Sequence, residues 1–374
     1  MACVSKALII GGGIAGLSAA ISLSRVGVAC EVVELSDAPL GASLGVTGRA
    51  AEALVELGVY ERCFETSRHF DNPAMINQYD GAGNLVRAAP QRPEWPGAKM
   101  GLGVYRPDFL QILADEAKAL GATIRKGITA EVINEQSDAA RVTFTDGEVR
   151  SFDLVVGADG VHSATRGMIF PDAAKPEYTG QFSIRWMAPG PMIEGEGWYH
   201  NEVGRLGFYY IPQGEVYVPA VISRDDQTRI ADSEVLDILT RLLDGCTAAP
   251  MVELRKRLTP DALMICRPFE WVLLPGRWHK GRVLLIGDAA HATSSHLGMG
   301  GGMALEDSVV LGQCIAAAAT LPEALDAFMA RRFDRVKTVV DSSVGLSKLE
   351  QANAPPSKNM ALLVAAFGAL SQPY

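Results

Sequence analysis

The chain has 374 residues, a formal charge of −9, 48% hydrophobic and 21% charged residues. That length suits about two domains with a large core, and the composition excludes long disorder. The acidic balance, without a basic block, argues against nucleic-acid and anionic-membrane partners. Six scattered cysteines form no C-x-x-C pair, which points to a reducing compartment, the cytoplasm, rather than to a disulfide framework or a zinc site. The longest apolar run, residues 360–370, is well short of the ~20 residues of a membrane span. The outlier is 38 glycines, about one residue in ten where the average is near 7%.

Residues 4–10 form a β-branched apolar run, followed at once by Gly11-Gly12-Gly13-Ile14-Ala15-Gly16 and by apolar residues at helical spacing over 17–23. The order is strand, glycine turn, helix. The glycines interrupt any secretory apolar region and only Lys6 precedes them, so no signal peptide is expected. In the G-x-G-x-x-G pattern, Gly11 allows the tight turn, Gly13 lets backbone approach a pyrophosphate and Gly16 lets helix pack on strand. The helix N-terminus offers free N–H groups to phosphate. A second strand ends in Glu34, placed to accept from an adenosine ribose and to repel a 2′-phosphate. The bland alternative is a glycine-rich turn of another α/β protein, with Glu34 on a solvated edge. These residues leave NAD and FAD both open.

Gly41-Ala42-Ser43-Leu44 leads into a helix over 49–57, and Arg106 opens another, with Phe109, Leu110 and Leu113 on one face. Residues 123–125, 130–134 and 141–144 alternate as short strands, with a turn at Asp146-Gly147. A buried strand over 152–156 runs into Gly157-Ala158-Asp159-Gly160, with Ser163 and Arg166 beyond. From 177 to about 267 the texture becomes that of an antiparallel sheet with a helix over 233–243, hence a second domain. Most of its aromatics should pack the sheet. Strand alternation nonetheless puts Tyr209 and Tyr210 on opposite faces, so that some face a pocket.

Residues 282–286 read as a central strand, followed by Gly287-Asp288-Ala289-Ala290-His291, Gly298-Met299-Gly300-Gly301-Gly302 and a long helix over 303–318. A second anion cradle late in the chain is superfluous for an NAD dehydrogenase. It suits a flavin, whose pyrimidine edge becomes anionic on reduction. Asp288, at a strand end, is placed to accept from a polyol hydroxyl. Residues 321–350 read as helix with Arg331, Arg332 and Arg335 on a solvated polar face. Pro355-Pro356 breaks the chain before a short apolar helix over 358–370, which packs on the body or on a dimer mate.

Three separated motifs carry a family resemblance: residues 11–16 with Glu34, residues 153–166 around Asp159-Gly160, and residues 287–307 ending in Ala304-Leu305-Glu306-Asp307. Over about residues 5–345 the sequence resembles the single-component FAD-dependent aromatic hydroxylases, the group that includes p-hydroxybenzoate and salicylate hydroxylases. The resemblance implies an α/β fold in which a Rossmann-like three-layer FAD domain (1–72, 98–176, 268–352) carries an inserted antiparallel substrate sheet (73–97, 177–267) and a C-terminal tail (353–374). It implies FAD held by Gly11, Gly13, Ala15, Gly16 and Glu34. Asp288 would bind the ribityl chain, and Gly298, Gly300, Gly301, Gly302 and Met303 would lie at the isoalloxazine. Asp159 with Arg106 would brace cofactor or NAD(P)H binding. The implied cycle is reduction of FAD by NADH or NADPH, addition of dioxygen, and delivery of one oxygen by the flavin hydroperoxide to an electron-rich ring.

The family pattern H-x-x-x-P-x-x-G-Q-G is altered here. Ser295 stands for the proline, Met299 for the glutamine, His296 for an apolar or aromatic residue, and Leu35 for the arginine after the ribose acid. His296, on the flavin-facing loop and titrating near neutrality, is the candidate base, with Tyr210 and Arg185 as further catalytic candidates. Arg205, Tyr209, Tyr217, Ser295 and Met299 are candidate substrate contacts, and His291 is expected to be structural. The alternative reading of His296 is a structurally hydrogen-bonded histidine. A flavin oxidase or reductase that inserts no oxygen is the alternative function, kept open by Ser295 and Met299. A flavin halogenase is set aside because no W-x-W-x-I-P motif occurs, and nothing argues for a non-enzymatic flavin-binding protein. The partners expected are a small aromatic substrate and dioxygen, in a monomer or a homodimer.

Overall fold

Lys6–Ile10 is a strand buried from Ala7 onward, as a parallel strand covered on both faces must be. The computed structural model describes residues 2–36, 43–70, 77–89, 93, 95–173 and 175–374, so Gly41 and Ala42 of the expected lead-in lie outside the described residues. The strand pairs in parallel with Ala29–Glu34 on one side and Leu154–Gly157 on the other. Thr123–Lys126 and Val283–Leu285 extend the sheet outward, and His279–Lys280 closes one edge antiparallel. Val283–Leu285 is therefore next to the edge strand and not central.

The single strand expected over 152–156 is two strands in different sheets. Val149–Phe152 belongs to a three-stranded meander with Ala130–Glu135 and Ala140–Phe144, while Leu154–Gly157 joins the parallel sheet. Asp153 marks the switch. Its Oδ2 accepts the Ser5 and Lys6 amides at 2.8 and 2.9 Å, pinning the crossover to the start of the first strand.

Helix Ile14–Arg25 packs along helix Gly300–Ala317, and Gly312 lets them close, since a Cβ there would lie 2.2 Å from Ser22 Oγ. Ser308 Oγ also donates to the Ala15 carbonyl at 3.1 Å. Two glycine turns almost 300 positions apart thus open neighbouring helices. Helix Leu321–Gln351 lies against the second of these. Its basic trio is not the solvated face expected. Arg332 is fully buried, with Nε on Asp307 Oδ1 at 2.8 Å and Nη1 on Glu306 Oε2 at 2.7 Å, and Arg335 also pairs with Glu306. Two buried acids on the neighbouring helix draw the arginines inward, because buried charge must be paired.

The second sheet has seven strands, in the order Met264–Trp271, Glu177–Pro189, Glu215–Ser223, Arg205–Ile211, Gly197–His200, Gln78–Asp80 and Leu85–Arg87. Helices Asp232–Asp244 and Ala249–Arg257 cover one face, where Ile184, Trp186, Phe208 and Val218 are buried. Alternation turns Arg185, Arg205, Tyr209 and Tyr217 to the other face. Helix Pro356–Leu370 packs on the body through Leu363, Ala366, Phe367 and Leu370. Arg49, Arg335 and Arg331 hold the tail after it by donating to the carbonyls of Ser371, Gln372 and Tyr374, each at 2.9 Å.

Candidate active site

At Gly11 (φ +110°) a Cβ would meet the Ala158 carbonyl oxygen at 2.3 Å, and at Gly16 it would meet the Gly11 carbonyl oxygen at 1.8 Å. These two glycines serve the packing of strand and helix. At Gly13 a Cβ would meet nothing within 4 Å, and Gly13 borders the main cavity, so its missing side chain leaves room for a ligand. Glu34 stands behind this turn. It accepts the Gly12 amide at 2.6 Å and the Ser36 amide at 2.7 Å, which fixes the carboxylate at the strand end with lone pairs to spare for ribose hydroxyls.

The second turn brings Gly287 (φ +57°) and then Asp288 at the start of the short helix Asp288–His291. Asp288 is exposed into the cavity, with dense protein behind it. Desolvation raises its pKa, opposed by His291 and Arg106. Arg106 borders the same cavity. Burial, then the nearby Arg185, lowers its pKa, and its buried Nε has no hydrogen-bond partner. Asp159 and Arg106, expected together to brace cofactor or NAD(P)H binding, have different surroundings. Asp159 is spent on its own turn, accepting from Ser163 Oγ and from the Thr165 amide and hydroxyl, both at 2.9 Å. Arg166, beyond that turn, donates to the Ala289 carbonyl at 2.9 Å and ties the Asp-Gly segment to the Gly-Asp turn.

Gly298, Gly300 and Gly301 border the cavity, as does Ala15. Gly302 packs on Ala50, where a Cβ would come within 2.9 Å. Met303 is a core residue whose carbonyl and sulfur meet Arg332, because the helix begins at Gly300 and turns position 303 inward. Met299 is likewise buried, its sulfur 3.9 Å from Thr47 Oγ1, so its side chain is not placed for substrate contact.

Arg185, Arg205, Tyr209, Tyr210, Tyr217, Ser295 and His296 all border this one cavity of about 600 Å³. Tyr209 and Tyr217 pair across neighbouring strands with ring centroids 6.2 Å apart, and burial raises both phenol pKa values. Tyr210 reaches the rim as well, although alternation sets it opposite Tyr209, and its amide donates to Glu196 at 2.9 Å. His296 does not titrate near neutrality: burial first, then Arg205, pushes it down to about 4. It is a neutral imidazole, with Nδ1 2.9 Å from Ser294 Oγ. His291, fully buried, lies 2.6 Å from Asp307 and orients backbone rather than substrate.

The sequence reading missed Glu350, His200, Trp198 and Arg87, which complete the sheet-side wall. Glu350 accepts from Arg205 Nε at 2.9 Å, and the Arg205 guanidinium lies 4.1 Å over the Trp198 ring. His200 is pushed down to about 4, by burial first and then by Arg205. No local pattern marks these residues, because long-range pairing alone assembles them.

The donor set fits FAD. An open cradle at Gly13, Asp288 and an orphaned Arg106 Nε border one cavity, first-turn amides lie at two helix N-termini, and the Glu34 carboxylate is held on the Gly12 amide behind the first turn. Among the described residues no cluster could hold a metal ion.

Comparison with known proteins agrees. A family profile described as an FAD binding domain matches residues 5–343. The 2-heptyl-3-hydroxy-4(1H)-quinolone synthase of Pseudomonas aeruginosa (strain UCBPP-PA14) is 31% identical over 364 residues, covering 93% of this chain and 90% of the relative. The FAD-dependent urate hydroxylase of Klebsiella oxytoca is 30% identical over 389 residues, covering 96% and 92%. Among solved structures, Klebsiella pneumoniae HpxO complexed with FAD and uric acid matches with a TM-score of 0.76 at 24% identity, covering 99% of this chain and 93% of that one. The tetrameric form of 2-methyl-3-hydroxypyridine-5-carboxylic acid oxygenase matches with a TM-score of 0.77 at 24% identity, covering 99% and 98%. These two likenesses show the p-hydroxybenzoate hydroxylase-like fold. The chain belongs to the FAD-binding-domain family of single-component flavoprotein monooxygenases, is an enzyme of that type, and takes FAD as its cofactor.

Proposed function

We propose that this enzyme hydroxylates a small electron-rich aromatic or heteroaromatic ring, consuming NADH or NADPH and dioxygen. One observation carries the reading: a single cavity runs from the nucleotide turn at Gly13 and Ala15, past Gly300 and Gly301, to the aromatic wall of the second sheet. FAD bound there supplies the electron transfer and the oxygen activation. The chain supplies everything else. Gly13 and the Ile14 helix start hold the diphosphate, Glu34 the adenosine ribose and Asp288 the flavin's polyol chain. Arg106, with a nitrogen unspent, braces the cofactor from the side of the cavity.

The stacked Tyr209 and Tyr217 give the ring a flat apolar surface at the cavity wall. Their hydroxyls stay protonated, so they act as hydrogen-bond groups and not as bases. Arg185, on the same face, gives a positive charge beside the ring for a developing oxyanion. His296 joins the site as a neutral hydrogen-bonding group rather than as a base poised at neutral pH. Six unpaired cysteines support a reducing compartment, the cytoplasm. No helix among the described residues is long and apolar enough to cross a membrane.

The test is to follow NADH and NADPH oxidation by the yellow protein with a panel of phenols, anilines and hydroxypyridines. Ring-stimulated oxidation with little peroxide supports hydroxylation. Stoichiometric peroxide with every ring would favour an oxidase.

A further inference from the structure

His296 Nε2 and Glu350 Oε2 face each other at 3.6 Å, and the buried nitrogen makes no hydrogen bond. The neighbours fix the tautomer. Ser294 is buried and spends its one hydroxyl proton on the Ser343 carbonyl at 3.3 Å. Its oxygen is therefore left to accept from His296 Nδ1 at 2.9 Å. The ring proton sits on Nδ1, and Nε2 presents a bare lone pair.

Glu350 is an anion. Burial opposes its charge, but the Arg205 guanidinium outweighs burial and leaves its pKa lowered. Oε1 accepts from Arg205 Nε at 2.9 Å and from Gln181 Nε2 at 3.1 Å. Oε2 shares the same Arg205 nitrogen and stands beside His296, with Arg87 and His200 also within electrostatic reach of the carboxylate. The Glu350 side chain is 30% exposed, and it borders the cavity. His296 Nε2 is thus a buried acceptor without a donor, and the Glu350 carboxylate stands beside it at the cavity wall. A buried acceptor left unmatched is costly, so the arrangement calls for a donor from outside the chain.

We propose that Glu350 receives a ring N–H or O–H of the substrate, so that the enzyme selects lactam-type or phenol-type heteroaromatics. Among the charged side chains bordering the cavity, Asp288 and Glu350 are the carboxylates, and Asp288 belongs to the cofactor turn. A donor seated on Glu350 Oε2 also lies beside His296 Nε2, which satisfies both lone pairs with one hydrogen. Polarising that N–H or O–H bond towards the carboxylate strengthens donation of the heteroatom's lone pair into the ring and raises electron density at the carbon to be hydroxylated. A substrate carboxylate at this spot would meet like charge. This inference rests on the ring-hydroxylating reading of the cavity.

The test titrates the oxidised holoenzyme with 4(1H)-quinolone and 1-methyl-4-quinolone, and with 3-hydroxypyridine and 3-methoxypyridine, reading the flavin absorbance. Each methylated ring is expected to bind at least about tenfold more weakly than its parent. In Glu350→Gln the amide nitrogen can donate to His296 Nε2 and fill the gap. The parent rings should then lose about tenfold, and the parent-to-methyl ratio should fall to within about twofold. Methylated rings binding as tightly as their parents would overturn the inference, as would a ratio unchanged in the variant. If the variant does not fold, the wild-type ratio decides. If no ring of either series perturbs the flavin and none stimulates NAD(P)H oxidation, the hydroxylase reading itself fails.

Discussion

Asp307 holds the Gly287 amide at 3.0 Å and stands 2.6 Å from His291 Nε2, both on Oδ2. One buried carboxylate thus grips both ends of the short turn that carries Asp288. Its other oxygen takes Arg332 Nε at 2.8 Å, which links the turn to helix Leu321–Gln351. Removing one member of a buried charge cluster strands the others, so Asp307→Ala should cost about 3–5 kcal/mol. Chemical denaturation of the wild type and the variant checks this. Burial works against the Asp307 anion, yet His291 and Arg332 hold its pKa down to about 2. Its stabilisation is present above the unfolded value near 4 and is lost as pH falls towards 2.

The two kinds of glycine at the first turn should separate cleanly on mutation. Gly11→Ala strains a backbone at φ +110° and drives a methyl into the Ala158 carbonyl, so both stability and FAD binding should fall. Gly13→Ala meets no protein atom. It should leave the apoprotein's melting temperature within a few degrees of wild type while weakening FAD at least about tenfold. Melting curves of the apoproteins, with FAD titrated by fluorescence, make the comparison. Equal FAD affinity in Gly13→Ala would remove the diphosphate from that cradle.

His200 and His296, both pushed down to about 4 mainly by burial, predict an acid weakness. An imidazole whose folded pKa lies below its unfolded value near 6.5 takes up its proton later in the folded chain. Stability should therefore fall as pH drops from about 6.5 towards 4. In His296→Asn that slope should be shallower than in the wild type, as measured by thermal melts across the window. Parallel slopes would show that His296 is not held neutral.

The parallel strands, both glycine turns and the antiparallel insert are legible in the sequence because each is written in contiguous residues. Gly11 to Gly16, or Gly287-Asp288, carries its own backbone geometry. The substrate wall is not written that way. Arg205 and Glu350 stand 145 residues apart, and nothing in the local texture around Glu350, at the end of a long helix, marks it as facing a cavity. The Arg331, Arg332 and Arg335 trio misleads for the same reason. Helical periodicity gives the face but not the partner, and the partner is a buried Glu306 and Asp307 on another helix. The residue type of His296 suggests titration near neutrality, while burial and a neighbouring arginine, both invisible in sequence, push it down to about 4.

The most direct test of ring hydroxylation by this chain uses isotopically labelled dioxygen. The holoenzyme is turned over with NADH or NADPH and a hydroxylated heteroaromatic ring, and the ring product is weighed by mass spectrometry. Hydroxylation requires one labelled oxygen atom in the product for each nicotinamide oxidised. An unlabelled ring, with one hydrogen peroxide formed per nicotinamide, would contradict it.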